Sequence, residues 1–370
     1  MNFQWSLQPM LRWMSCIGIY LESPGSVSSS PFRIWTIAYG LVVFFLHLYR
    51  NAVFLDEYFS KFKNASLEIS TPLLWNAAIN MSNYLFVTTG SQLSLIVGSI
   101  SRWPSLTRLL RQMEKEHFFE AKHYRRFRRI SISALAFLIA VLVVITVVMT
   151  LMVVPSDMPI MTKVGELLQP TLVMYLFSGG VLFSCIGWIT SEMFVILAEK
   201  VTQQLNKSCT CNQTDWSRRL DSWRHQHHTL LKLVDKINNC YSGLLLVLIA
   251  ASFVMMINSS FVIMRRLPNM DILLQLSILI IQFGHFAVLI YVPHRIRESA
   301  INFTKTLRCL NLDNQILQEK LNFFIVDALD SLPKITALGL FDVNLHLVPS
   351  IVGTTLTYLI ILCQFQYSKN

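Results

Sequence analysis

The stretch from Asn344 to Tyr367, NLHLVPSIVGTTLTYLIILCQFQY, decides how the rest of the chain is read. No charge falls between Asp342 and Lys369. A helix of this length, rising about 1.5 Å per residue, crosses roughly 30 Å of hydrocarbon. Its polar residues recur at helical steps: His346, Ser350, Thr354, Thr357 and Gln364, with Ile361 completing the row. Leu345, Val348, Val352, Leu356, Leu359 and Cys363 occupy the remaining surface. A membrane helix with one polar stripe turns it toward protein or water, because lipid satisfies none of those groups. A single copy of the stripe is too narrow to enclose a channel; several copies around a symmetry axis could line one. Hydroxyls bonded to their own i−4 carbonyls, or gluing helices together, account for the same residues equally well.

The whole chain extends this reading. Of its 370 residues, 53% are hydrophobic and only 14% charged, and the mean hydropathy is +0.49. Soluble domains carry about 25% charge, so the composition is that of a polytopic membrane protein. A net charge of +10 would suit nucleic acid, but the basic residues lie between apolar spans and act as topology determinants. No nucleic-acid partner is expected. The seven cysteines form no disulfide framework: Cys185 and Cys363 fall in spans, and Cys209, Cys211, Cys240 and Cys309 in loops on the basic side.

Charge-free runs mark seven spans. They lie between Arg33 and Arg50, Glu68 and Arg102, Arg129 and Asp157, Glu166 and Glu192, Lys236 and Arg265, Asp271 and Arg295, and in the last stretch. The loops after the second, fourth and sixth spans, with Arg12 and Arg33, hold 24 Lys and Arg; the other side holds 7. The positive side faces the cytoplasm, which predicts an inside N-terminus and an outside C-terminus. Ahead of the first span, Trp5, Leu7, Met10, Leu11 and Met14 suggest either an amphipathic helix lying in the membrane interface or an ordinary cytoplasmic tail. Ser23–Pro31 reads as a flexible linker. Asn64, in the sequon Asn64-Ala65-Ser66, is the glycosylation candidate on the outer side. The basic loops carry apolar residues at helical spacing, as in Leu106, Leu109, Leu110 and Met113, then Leu230, Leu231, Leu233 and Val234, then Leu317, Leu321, Phe324 and Ile325. These predict helical extensions of the spans packed into a base rather than solvated loops.

Three motifs carry a resemblance to a known family. Thr357-Tyr358, five mostly apolar residues, then Gln364-Phe365 resembles the closing signature of insect gustatory receptors. Upstream, Thr336-Ala337-Leu338-Gly339-Leu340-Phe341 is similar to that family's Thr-Ala-x-Gly-Phe-Phe segment, with Leu340 in place of the first Phe. His228, Leu231, Ile237-Asn238, Tyr241 and Gly243 resemble its pattern entering the fifth span. The specific motifs cover roughly the last third of the chain. The resemblance implies an all-α, seven-helix, ligand-gated and non-selective cation channel, built as a homo- or heterotetramer with other gustatory receptors. It implies a multi-pass protein of the cell membrane, contacting lipid, expected in dendrites of gustatory neurons. It assigns Gln364 and Phe365 to the gate; the stripe reaches Gln364 independently and adds Ile361, Thr357, Thr354 and Ser350 as pore-lining residues. Residues 1–31 then form the cytoplasmic N-terminal segment and linker, 32–298 the first six spans with a ligand pocket in their outer half, 299–341 the cytoplasmic anchor and 342–370 the pore helix.

A small-molecule tastant needs an apolar cavity with a few amides and aromatics, reachable from outside. The outer halves of the spans offer Trp75, Asn76, Asn80, Asn83 and Tyr84, then Gln169 and Tyr175, Asn258 and Gln275, with Gln282 and His285 deeper. For each amide alone, hydrogen bonding between helices is the plainer role. No cofactor is expected. Cys209, Cys211, His225, His227 and His228 do not have the spacing of a zinc site. The spans hold His47, His285 and His346 but no deep carboxylate, which leaves an intramembrane enzyme without a base pair or a metal triad. Absence of matched helix breaks disfavours an inverted-repeat transporter.

Overall fold

The computed structural model describes residues 2–19, 21, 34–49, 52, 89–153, 160–205, 213–264, 269–312 and 314–367. For parts of these helices, among them 160–176, 269–275 and positions 258 and 365, the description stops at the backbone. In chain order the helices are α1 (Phe3–Cys16), α2 (Ile34–Tyr49) and α3 (89–97). A π turn, Gly98–Arg102, leads from α3 into α4 (Trp103–Lys115). Then come α5 (Ala121–Val153), α6 (Ile160–Leu205), α7 (Gln213–Met264), α8 (Asn269–Arg308) and α9 (Gln315–Asp330). A two-stranded hairpin, β1 (Thr336–Ala337) and β2 (Phe341–Asp342), precedes α10 (Leu347–Tyr367).

Among the described residues four helices are long and apolar enough to cross a membrane by length and composition: α5, α6, α7 and α8. Helices α2 and α10 are apolar but shorter, and only the last part of the second expected span is described, as α3. Every long helix runs past the charges that border its apolar run. Helix α7 begins at Gln213, well before Lys236, and α6 continues beyond Glu192 to Leu205. The surplus turns build the expected base. Leu106, Leu110 and Met113 of α4, Leu230, Leu233 and Val234 of α7, and Leu317, Leu321, Phe324 and Ile325 of α9 are all buried. Cys240, which the sequence reading put in a loop, is buried within α7, because the helix has no break there.

Helix α1 corrects the interfacial reading. Its apolar face is buried, with Phe3, Leu7, Met10, Leu11 and Met14 covered, and the cover is protein. Phe3 sits edge-on to Phe119 and Tyr124 and stacked on Phe127. Ser6 donates to the Tyr124 carbonyl at 3.0 Å, and the Trp13 indole donates to Ser178 Oγ at 3.0 Å, tying α1 to α5 and α6. Asn2 caps its start by accepting from Trp5 N at 2.8 Å. Trp5 carries the Arg128 guanidinium 4.1 Å over its ring. The amphipathic pattern was correctly read, but periodicity does not distinguish a lipid partner from a protein one.

Two features set how the helices meet. On α6, Gly180 and Gly187 lie two turns apart and face α8; a Cβ at either would fall on His285 or Val292. Small residues at such a crossing let two backbones approach closely. Below them, Glu192 is 3% exposed. It pairs with Arg126 of α5 at 2.6 Å and Arg295 of α8 at 2.9 Å. The Arg295 guanidinium also lies 3.6 Å over Trp188, and Ser191 bonds Ser299 at 2.8 Å. A carboxylate this deep persists because two cations and these polar neighbours replace its water.

Candidate functional site

The candidate site is α10 together with the elements that hold it. Helix α7 contacts the last third of the chain at three successive levels. At the first, His228 meets Asp327 of α9 at 3.2 Å, and Arg224 reaches the same oxygen at 3.3 Å. At the second, Asn238 clamps the hairpin: its Oδ1 accepts from Thr336 N at 2.9 Å and its amide donates to Thr336 Oγ1 at 3.3 Å. The same hydroxyl accepts from Gly339 N at 3.2 Å. Leu338 and Gly339 turn the hairpin with φ of 51° and 75°. Gly339 adopts that backbone freely, whereas Leu338 is held there against its side chain's preference. At the third level Phe253 packs edge-on against Tyr358 of α10, with centroids 6.5 Å apart. Among the motif residues, His228, Asn238, Thr336 and Tyr358 are the joints between α7 and the end of the chain.

Helix α10 is covered on one side only. Leu347, Val348 and Ile351 pack on the bundle, and Thr355 and Leu359 continue that seam half-buried. Ser350, Thr354, Thr357, Ile361 and Gln364 are exposed. At about 100° per residue the stripe lies roughly 140° around the helix from the seam, so the polar row points away from its own chain. The hydroxyls bond to their own helix, as one of the sequence alternatives has it. Thr354 Oγ1 donates to the Ser350 carbonyl at 2.7 Å, and Thr357 Oγ1 to the Gly353 carbonyl at 3.0 Å. Both hydroxyl hydrogens are therefore spent within the helix, and the two oxygens face outward as acceptors. Phe365 lies on the same helix; its side chain is outside the described residues.

The expected ligand pocket is only partly in view. Trp75, Asn76, Asn80, Asn83, Tyr84 and Asn64 lie outside the described residues, as do the side chains of Gln169, Tyr175, Asn258 and Gln275. Of the deeper pair, Gln282 and His285 are both buried, and His285 lies 4.6 Å from the Phe177 ring, on the α6–α8 crossing. Gln92 bonds His47, joining α3 to α2. The loop histidines diverge. His225 meets Glu116, at the C-terminal cap of α4, at 3.1 Å, His228 meets Asp327, and His227 is fully buried among Phe194, Phe303 and Phe324. Burial pushes the His227 imidazole down to about 4, and the neighbouring His228 adds to the shift. Among the described residues no three His, Cys, Asp or Glu gather as a metal site; Cys209 and Cys211 lie outside them. The Glu192 node was missed by sequence reading, which treated Glu192 and Arg295 only as span borders. Nothing local signals a pairing across about a hundred positions.

The profile described as 7tm Chemosensory receptor matches residues 7–369. The chain belongs to this chemosensory receptor family. The receptor's fold is similar to that of the insect olfactory receptor OR5 from Machilis hrabei, solved in complex with eugenol. The TM-score is 0.69 at 14% identity, over 97% of this chain and 98% of that one. A second OR5 structure from Machilis hrabei gives a TM-score of 0.65 at 15% identity, over 96% and 98%. No curated protein sequence matches it. The likeness shows the seven-helix insect receptor fold for this chain.

Proposed function

We propose that this receptor is a gustatory, ligand-gated and non-selective cation channel of the cell membrane, assembled as a homo- or heterotetramer. The observation that carries the reading is α10: a charge-free helix whose polar stripe points away from its packed seam. Four such stripes around an axis would line a weakly selective path with Ser and Thr oxygens and amide dipoles, without a charged ring. Gln364 and Phe365 form the gate in this reading, residues 342–370 the pore element and 299–341 the intersubunit anchor. The excess of Lys and Arg at the base supports a cytoplasmic base and N-terminus. The taste assignment rests on Thr357-Tyr358 with Gln364-Phe365, on the Thr336 segment and on the His228-to-Gly243 pattern.

A tastant bound in the outer cavity, between residues such as Trp75, Asn76, Asn80, Tyr84, Gln169, Tyr175, Asn258 and Gln275, would favour one packing of the bundle over another. Through α7, which touches both the hairpin and Tyr358, that shift would tilt or rotate α10 and move Gln364 and Phe365 off the axis. The test is whole-cell current from this chain expressed alone, under sugars, bitter compounds and amines, with intracellular nucleotides removed. A fast cation current is expected, and Gln364→Ala should raise basal current or alter selectivity. Wild-type currents from well-expressed Gln364→Ala protein would take Gln364 out of the gate. Current that appears only on co-expression with another receptor would assign this chain as a subunit of a heteromer.

A further inference from the structure

We propose that the receptor binds a phosphate-bearing polyol headgroup in a polar cavity at the foot of α3, where it braces the hairpin that leads into α10. The cavity measures about 550 Å³ and opens to the surface. The π turn, the start of α4, α7 and the hairpin wall it with Ser101, Arg102, Ser105, Asn239, Ser242 and Thr336. Among the described residues that line it there is no carboxylate, and the one full charge is a guanidinium. Arg102 donates through Nη1 to the Asn239 carbonyl at 2.6 Å. That bond fixes one arm of the guanidinium at the cavity wall, and a guanidinium has further donors for an oxyanion. Arg102 is held there by the π turn Gly98–Arg102, an inserted residue that re-aims side chains between α3 and α4.

Guanidinium, hydroxyl and amide donors around a water-sized-to-headgroup-sized space suit an oxyanion, while the Ser, Asn and Thr oxygens suit hydroxyl groups beside it. Two further observations favour a lipid as the source of that chemistry. Arg102 and Lys236 are the first charges bordering the second and fifth apolar runs, so the cavity sits at headgroup depth. At its lip, Leu338 is 53% exposed, and Leu340 beside it is 70% exposed, which offers apolar surface to acyl chains. The lip is also the clamped hairpin. Asn238 holds Thr336, whose hydroxyl in turn accepts from Gly339 N, and Val343 N bonds the Ile335 carbonyl at 2.8 Å just before α10. A bound headgroup would stiffen this joint.

The probe is a fluorescent phosphatidylinositol 4-phosphate, titrated against the purified full chain in phosphatidylcholine nanodiscs. Saturable binding is expected, and Arg102→Gln should weaken it by about tenfold to a hundredfold, the loss of one charged multi-donor contact. Arg108→Gln should leave it unchanged, since Arg108 lies outside the cavity and bonds the Pro104 carbonyl of its own helix. Arg102→Lys, which keeps the charge but loses the fork, should fall between the two. Hydrogen exchange gives a second readout: the probe should protect 336–343 in wild-type protein and in Arg108→Gln, but not in Arg102→Gln. Displacement by soluble inositol 1,4-bisphosphate at equal affinity would make a free phosphate the ligand, and failure of displacement would make it a lipid; both uphold the site. Equal probe affinity in wild type and in monodisperse Arg102→Gln would overturn it.

Discussion

Helices α9 and α10 both come from the last part of the chain, joined by a two-stranded hairpin, yet they are packed in opposite ways. Helix α9 buries Leu317, Leu321, Phe324 and Ala328 against the base and places Asp327 between Arg224 and His228. Helix α10 buries a narrow seam and leaves Thr354, Thr357, Ile361 and Gln364 bare. The base is held together within one chain by the buried face of α9 and its closed ion pairs, although Ile316, Phe323 and Val326 on the other face of α9 stay exposed. The last helix is finished only by something outside the chain. Its apolar exposed residues, such as Leu356 and Ile360, suit a lipid surround. The polar row is satisfied by water or by other copies. That division is what the proposed channel subunit would need, an anchor carrying one helix whose polar face is shared between copies.

The comparison breaks most readily at the Glu192 node. Glu192→Ala would leave Arg126 and Arg295 facing each other with no counter-charge, and should cost about 3 kcal/mol or more. The expected result is loss of monodisperse protein in detergent or a large fall in Tm, with the stripe untouched.

A second prediction concerns pH. His227 in the folded base takes up a proton only near 4, whereas in the unfolded chain it does so near 6.5. As pH falls from about 6.5 to about 4, the unfolded state gains the proton first, so stability declines across that window and levels off below it. The full effect is about 3 kcal/mol. Hydrogen exchange in α7 and α9 should show the decline in wild-type protein, and His227→Phe, set among Phe194, Phe303 and Phe324, should flatten it.

A smaller effect is expected at the joint. Asn238→Ala strips Thr336 N of its acceptor and should cost roughly 1–2 kcal/mol. Faster exchange confined to 335–343 would mark the loss, while the base keeps its protection. The smallest effect on the fold belongs to the stripe. Thr354→Val with Thr357→Val removes two bonds internal to the helix and should shift stability by less than about 1 kcal/mol. Single-channel conductance should nonetheless fall, because two outward oxygens are lost per copy.

Much of this was legible in the sequence, for reasons that differ by element. The apolar runs of α5 to α8 and the stripe of α10 follow from periodicity and absence of charge, which are local properties. The base was legible because amphipathic spacing in the basic loops leaves little alternative to packed helices. What periodicity lacks is the identity of the partner. It could not assign the apolar face of α1 to Phe119, Tyr124 and Phe127 rather than to lipid. Nor did it pair Glu192 with Arg126 and Arg295, or remove Cys240 and His227 from solvent, since each of those depends on contacts between distant helices. The motif residues were found by resemblance, and their physical role emerged only in three dimensions, as the joints of α7 with α9, the hairpin and α10.

The most direct test of the shared face is cysteine cross-linking in membranes, which needs no agonist. In a Cys363→Ser background, Thr357→Cys and Gln364→Cys should form oxidant-induced dimers between chains, while Leu359→Cys, on the seam against the receptor's own bundle, should not. Dimers through Leu359→Cys, with the stripe cysteines remaining monomeric, would contradict the assignment of the polar face to an axis between copies.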